Sequence, residues 1–142
     1  MRRIRVLVVD DAALVRKMVS DALSADPFLD VVGTAANGRI ALAKLGHLAP
    51  DVVILDVEMP EMDGLATLTA IRRTHERLPV IMFSAHTEQG TEAALDALSL
   101  GASDYLTKPI GLGSAAAATA YVREHLGARI RALCAEIVRD AE

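Results

Sequence analysis

Asp10 and Asp11, Asp56, Ser84 and Lys108 each stand just past a short apolar run: Val6 to Val9, Val52 to Leu55, Val80 to Phe83, and Tyr105-Leu106 with Thr107 between. Acids, a hydroxyl and an ammonium at the ends of four such runs suit one kind of chemistry if the runs are parallel strands, because their ends then share one edge. Three carboxylates about 5 Å apart would repel by roughly 3 kcal/mol per pair at an effective dielectric near 20. A hard dication with oxygen ligands offsets that repulsion, and Mg²⁺ is satisfied with one or two carboxylates plus water. A dication beside a carboxylate and an ammonium is a setting for phosphoryl transfer.

Within that set Asp56 is the natural nucleophile. It follows the most apolar run, and a carboxylate can accept a phosphoryl group as an acyl phosphate. Ser84 offers a hydroxyl to a phosphoryl oxygen, and the small Ala85 beside it leaves room for an incoming group. Lys108 pairs with the acids or with the transferred group, and Pro109 holds it extended, with a trans bond as the default. Each residue alone has a plainer reading. Asp11 can cap a helix starting near Ala12, Ser84 can cap a turn, and a single lysine is normally solvated. The histidines (His47, His75, His86 and His125) show no zinc-ligand spacing, although His86 follows the serine strand closely. No nucleophile elbow or phosphate-binding Gly-rich loop occurs. Met59 and Met62 flank the acidic loop and read as exposed loop packing.

The elements that must position these groups alternate along the chain. After Val6 to Val9 come Leu14, Val15, Met18, Val19, Ala22 and Leu23 at helical spacing, closed by Pro27. Val31-Val32 reads as a weaker strand, Asn37-Gly38 as a turn, and Ile40, Ala41, Leu45 and Leu48 as a helix. Asp63-Gly64 opens a third helix with Leu65, Leu68 and Ile71. Ala94, Leu95 and Leu98 line a fourth, stopped by Gly101. A short strand lies around Asp104 to Leu106. Strand and helix repeated five times predicts crossover connections and a doubly wound parallel sheet, with its ligand crevice beyond the carboxyl ends of the strands.

Gly111-Leu-Gly113 reads as a loop and Ser114 as a cap. Val122, Leu126, Ile130, Leu133 and Ile137 then form one apolar stripe on an overlong final helix. Gly127 would divide a packed half from a protruding half. The expected organisation is one domain over residues 1–126 and a helical extension over 127–142, the start of a linker, with a dimer contact as the other use of the extension.

The 142 residues are 52% hydrophobic, enough for a core, but hold no Trp and only two Tyr and two Phe, so Val, Leu, Ile and Ala must fill it. A net charge of −4 argues against a general nucleic-acid binder. The single Cys134 gives no disulfide framework and fits a reducing cytoplasm. The basic start is followed by too short an apolar run for a signal peptide, and no stretch approaches a membrane span.

The segments Val-Val-Asp-Asp (8–11), Leu-Asp-Val-Glu-Met-Pro-Glu-Met-Asp-Gly (55–64), Phe-Ser-Ala (83–85) and Gly-Ala-Ser-Asp-Tyr-Leu-Thr-Lys-Pro (101–109) resemble the receiver domain of bacterial two-component response regulators. The resemblance runs from Arg3 to about Leu126. It implies a five-stranded sheet of order 2-1-3-4-5. By position it implies that Asp56 is the phosphoacceptor and that Asp11, Asp56 and the Glu58 main-chain carbonyl bind Mg²⁺ directly, with Asp10 acting through water. Ser84 would be the switch hydroxyl, Lys108 the phosphoryl-binding lysine, and Tyr105 the aromatic that swings inward on phosphorylation. Asp-Val-Glu-Met-Pro, Ala-Leu-Val-Arg-Lys (13–17) and Val-Ile-Met-Phe-Ser-Ala-His-Thr-Glu-Gln-Gly (80–90) are similar to the regulatory half of chemotaxis protein-glutamate methylesterases. Residues 1–142 hold no esterase sequence, so the resemblance carries no esterase activity over to them.

The implied partners are a chemotaxis-type histidine kinase and an output domain, in this chain's parent or in another protein, with methylesterase as its activity. Two other functions fit less of the sequence. A Mg²⁺-dependent phosphohydrolase with an aspartyl-phosphate intermediate lacks a cap insertion, and a structural adaptor leaves the acids unexplained.

Overall fold

The computed structural model describes residues 2–85, 92–109 and 113–137. His86, most of the Gly111–Gly113 loop and the last five residues lie outside them. Five parallel strands, β1 (Ile4–Val9), β2 (Leu29–Ala35), β3 (Val52–Asp56), β4 (Val80–Ser84) and β5 (Asp104–Thr107), form one sheet of order β2-β1-β3-β4-β5. All of β3 and β4 is buried, which is why both are apolar until the residue that ends them. Successive side chains alternate between two cores. Ile4, Val6, Val8, Val52, Ile54, Ile81, Phe83 and Leu106 meet helix α1 (Ala13–Ser24) and the C-terminal helices. Leu7, Val9, Val53, Leu55, Val80, Met82 and Tyr105 meet α2 (Gly38–Leu48), α3 (Gly64–Thr74) and α4 (Glu92–Ser99).

Local capping follows the sequence closely. Asn37 accepts from the Ile40 N–H at 2.9 Å, Asp63 from Ala66 at 2.8 Å and Ser114 from Ala117 at 3.1 Å. Gly101, at φ +105°, turns the chain after α4. The Lys108–Pro109 bond is trans.

Several expectations need correction. β2 is longer than Val31-Val32 and carries a bulge, with Val6 opposite Val31 and Leu7 opposite Gly33. It is an edge strand, half-buried along its middle, so polar Asp30 and Thr34 are tolerated and the apolar run is diluted. Asp11 does not cap α1: Ala12 occupies the cap position, and Asp10 Oδ1 takes the Ala12 N–H at 2.9 Å. Ala94 and Ala97 bury α4 against the sheet, whereas Leu95 and Leu98 are 58% and 46% exposed. Small side chains bring that helix close and turn the leucines outward. Leu14 likewise faces solvent, and Met59 is buried rather than exposed.

The C-terminal helix is continuous but not uniform. It runs as α5 (Ala115–Tyr121), a π-helical segment (Val122–Leu126) and α6 (Gly127–Leu133). Val122, Leu126, Ile130 and Cys134 are buried in the core shared with β1 and β3, while Leu133 points away. Cys134 thus replaces Leu133 in the expected stripe, because the buried positions recur every four residues. Gly127 does not separate a packed half from a protruding one within the described residues. Beyond it, Arg129 meets Asp104 at 3.1 Å, Arg131 Nε meets Asp26 at 2.8 Å, and the Cys134 Sγ lies 3.8 Å from the Asp51 carbonyl oxygen. Burial and the nearby Asp51 charge push the Cys134 thiol up to about 11, against the opposing charge of Arg2. Among the described residues no helix is long and apolar enough to cross a membrane.

Candidate functional site

Because all five strands are parallel, Asp10 after β1, Asp56 at the end of β3, Ser84 at the end of β4 and Lys108 after β5 reach the same edge. Asp10, Asp11 and Asp56 each place one carboxylate oxygen within 4.8 Å of the others. They open into a cleft of about 360 Å³ lined also by Ala12, Glu58, Met59, Pro60, Ala85 and Lys108. Ser84 is buried beneath it, paired with Thr107 across the β4–β5 ladder. The Lys108 N–H donates to the Ser84 carbonyl at 2.7 Å. Ala85 at the rim is where a small residue leaves space. Tyr105 is 1% exposed and packs in the core that faces α2, α3 and α4. His47 and His125 are solvent-exposed, as expected of surface residues.

Asp10 is held on every side. Its N–H donates to the Ala35 carbonyl, its carbonyl accepts from Arg16 at 2.7 Å, Oδ1 accepts from the Ala12 N–H at 2.9 Å, and Oδ2 meets Lys108 Nζ at 2.7 Å. Lys108 Nζ also reaches Asp56 Oδ1 at 3.1 Å. Asp11, by contrast, is exposed at the mouth. Burial and then the Asp10 charge push Asp56 up to about 6, with Lys108 and the Glu58 N–H working the other way. Burial alone would lower Lys108, but its hydrogen bond to Asp10 and the charges of Asp10 and Asp56 outweigh that and raise it. Three clustered carboxylates therefore carry more negative charge than the Lys108 ammonium balances. That imbalance, with hard oxygen donors this close, fits a small divalent cation.

Two features of the site escaped the sequence reading. A Cβ on Gly64 would lie 2.2 Å from the Asp56 carbonyl oxygen and 2.6 Å from the Val57 Cα. Glycine there lets the start of α3 press on the backbone that carries Asp56, and the Gly64 N–H donates to the Val57 carbonyl at 2.7 Å. Asp63-Gly64 is legible as a helix start, but the contact across the loop is not. The second is Glu61, at φ +66°, inside a tight turn closed by the Met62 N–H on the Pro60 carbonyl at 2.7 Å. This is the rare strained γ-turn, next to the cleft.

Residues 6–120 match the family described as response regulator receiver domain. The chain belongs to that family. It is 57% identical over 130 residues, 92% of this chain and 36% of the relative, to a protein-glutamate methylesterase/protein-glutamine glutaminase of Nocardioides sp.. A protein of the same name from Trichodesmium erythraeum is 52% identical over 94% of this chain and 38% of its own length. This receiver therefore spans little more than a third of the curated relatives it matches. Among solved structures, the response regulator domain of Thermotoga maritima CheB superposes with a TM-score of 0.84 at 39% identity, covering 93% of this chain and 96% of that one. The CheX–CheY–BeF3–Mg complex from Borrelia burgdorferi matches with a TM-score of 0.77 at 27% identity, covering 93% of this chain and 90% of that one. The chain is thus a receiver similar to those of chemotaxis methylesterases, with the five-stranded order expected of it.

Proposed function

We propose that this receiver is a phosphorylation switch in a chemotaxis system, with Asp56 as its phosphoacceptor. The observation that carries the reading is the convergence of Asp10, Asp11, Asp56 and Lys108 in one cleft. An Asp56 carboxylate oxygen attacks the phosphorus of a phosphohistidine on a histidine kinase. A P–O bond forms as the P–N bond breaks, and the imidazole leaves with the electron pair. Mg²⁺ would be held by Asp11 and Asp56, with the Glu58 main-chain carbonyl as a third ligand and Asp10 acting through water. When bound, it supplies positive charge to the phosphoryl oxygens.

The chain's own residues do the rest. Lys108, already between Asp10 and Asp56, follows the negative charge onto the phosphoryl group. Ser84 offers its hydroxyl to another phosphoryl oxygen, and Tyr105 swings inward on phosphorylation. The new group adds roughly −1.5 to −2 charge and biases a two-state equilibrium. The output is regulation of a methylesterase domain, supported by the names of the relatives whose first third this chain matches. Incubation with acetyl phosphate and Mg²⁺, followed by intact mass, tests the reading. One phosphoryl group is expected on the parent chain and none on Asp56→Ala; an unchanged parent mass contradicts it.

A further inference from the structure

We infer that Tyr121 is a positioning residue for Lys108, acting through the backbone at the end of β5. The inference rests on the phosphoacceptor reading above and adds a residue to it. Lys108 is the one cation bridging Asp10 and Asp56 among the described residues, so its placement sets the balance of charge in the cleft. Its backbone sits where β5 ends, and two hydrogen bonds grip that peptide from opposite sides. On one side the Lys108 N–H donates to the Ser84 carbonyl at 2.7 Å. On the other side of the same peptide, the Thr107 carbonyl accepts from the Tyr121 hydroxyl at 2.7 Å. The peptide joining Thr107 to Lys108 is therefore clamped between β4 and the C-terminal helix.

Tyr121 is suited to that task. It is half-buried against the core that contains Leu106 and Val122, and its ring lies 4.6 Å from that of His125, which limits its motion. It is the last residue of α5, immediately before the π-helical segment. The wider π turn changes the phase of the helix at that point. Tyr121 can then face the end of β5 while Leu126, Ile130 and Cys134 stay in the core below. The far end of the same helix is fixed by Arg129 to Asp104 and by Arg131 to Asp26. Arg131 also lies over the Phe28 ring, 5.2 Å from its centre. The hydroxyl thus ties the lysine's strand end to a helix that is also anchored at the start of β5 and on the α1–β2 connection.

Tyr121→Phe removes only the hydroxyl and keeps the ring. Three measurements on the full chain test it against the parent and His125→Ala. Amide hydrogen exchange at Lys108 should quicken about fivefold in Tyr121→Phe, with exchange at Val8 and Ile54 unchanged, the factor expected for one ordinary hydrogen bond. The rate of phosphoryl uptake from acetyl phosphate should fall about as much. The Mg²⁺ dissociation constant should stay within twofold, because the carboxylates stand on β1 and β3. His125→Ala, which keeps the hydroxyl, should match the parent in all three. Unchanged Lys108 exchange in Tyr121→Phe overturns the inference, as does a parallel loss of Mg²⁺ affinity, which would mark a general structural role. If the parent takes up no phosphoryl group, the phosphoacceptor reading fails instead, and the exchange measurement still decides whether Tyr121 holds Lys108.

Discussion

The alpha carbon of Gly64 sits so close to Asp56 that an added Cβ would lie 2.2 Å from the Asp56 carbonyl oxygen. The nearest atoms are backbone, which cannot rotate aside. Helix α3 therefore sets the position of the Asp56 peptide, and its first residue is a structural part of the site. Gly64→Ala should destabilise the domain by about 2–3 kcal/mol in urea unfolding, the usual range for overpacking against a fixed neighbour. It should also slow phosphoryl uptake at temperatures where the protein remains folded. Parent-like stability would show that the β3–α3 loop yields freely.

Replacing Asp56 itself should stabilise the protein. The folded-state value of Asp56, about 6, lies above its ordinary value of 3.8, so holding it ionised opposes folding. The sign follows from proton linkage. The penalty is fully present above pH 6 and vanishes as pH falls toward 4, where both folded and unfolded forms carry the proton. Asp56→Asn should thus gain about 1–2 kcal/mol at pH 8, less than the shift alone implies because the Lys108 pairing is weakened. The gain should shrink on acidification through pH 6. A pH series of denaturant melts checks this, and a gain that grows on acidification would reverse the sign.

Lys108→Ala removes the cation between Asp10 and Asp56. Asp56 should then titrate above about 6, because Lys108 is among the influences that lower it. A carbon-detected NMR titration of the Asp56 carboxyl group reads this directly. Stability at pH 8 should fall by about 1–3 kcal/mol as two buried carboxylates lose their shared partner. Millimolar Mg²⁺ should restore part of the loss. An unmoved or lowered Asp56 titration would mean that the lysine does not neutralise the pair.

The sequence shows the site more clearly than it shows the frame. Strands β3 and β4 are buried on both faces, so each is written as an unbroken apolar run with its functional residue at the end. That is why Asp56 and Ser84 are legible without coordinates. Edge strand β2 is half solvated and bulged, so only two of its valines stand out. Helix α4 misleads because its alanines, not its leucines, face the sheet. The contacts of Gly64 and Tyr121 are invisible for another reason. Each acts on a backbone carbonyl, a group every residue carries, so no residue type at the receiving end betrays the contact.

The C-terminal extension supplies a test of domain extent. Ile130 and Cys134 are buried, and Arg129 and Arg131 pair with acids on β5 and on the α1–β2 connection. A chain ending after Leu126 should be less stable than one ending after Ile137 by about 3–5 kcal/mol, chiefly from two lost buried side chains. Urea midpoints of the two chains give the comparison. Equal midpoints would make residues 127–137 a passive linker.

The central claim is that the clustered acids and Lys108 make Asp56 a phosphoacceptor. Its most direct test is site-resolved: treat the Mg²⁺-loaded protein with acetyl phosphate, reduce with borohydride, digest, and sequence the peptides by mass spectrometry. Borohydride converts an aspartyl phosphate to homoserine, leaving a permanent mark at the modified residue. The account predicts homoserine at position 56 and at no other aspartate. Homoserine at position 10 or 11, or none in the parent protein, would contradict it.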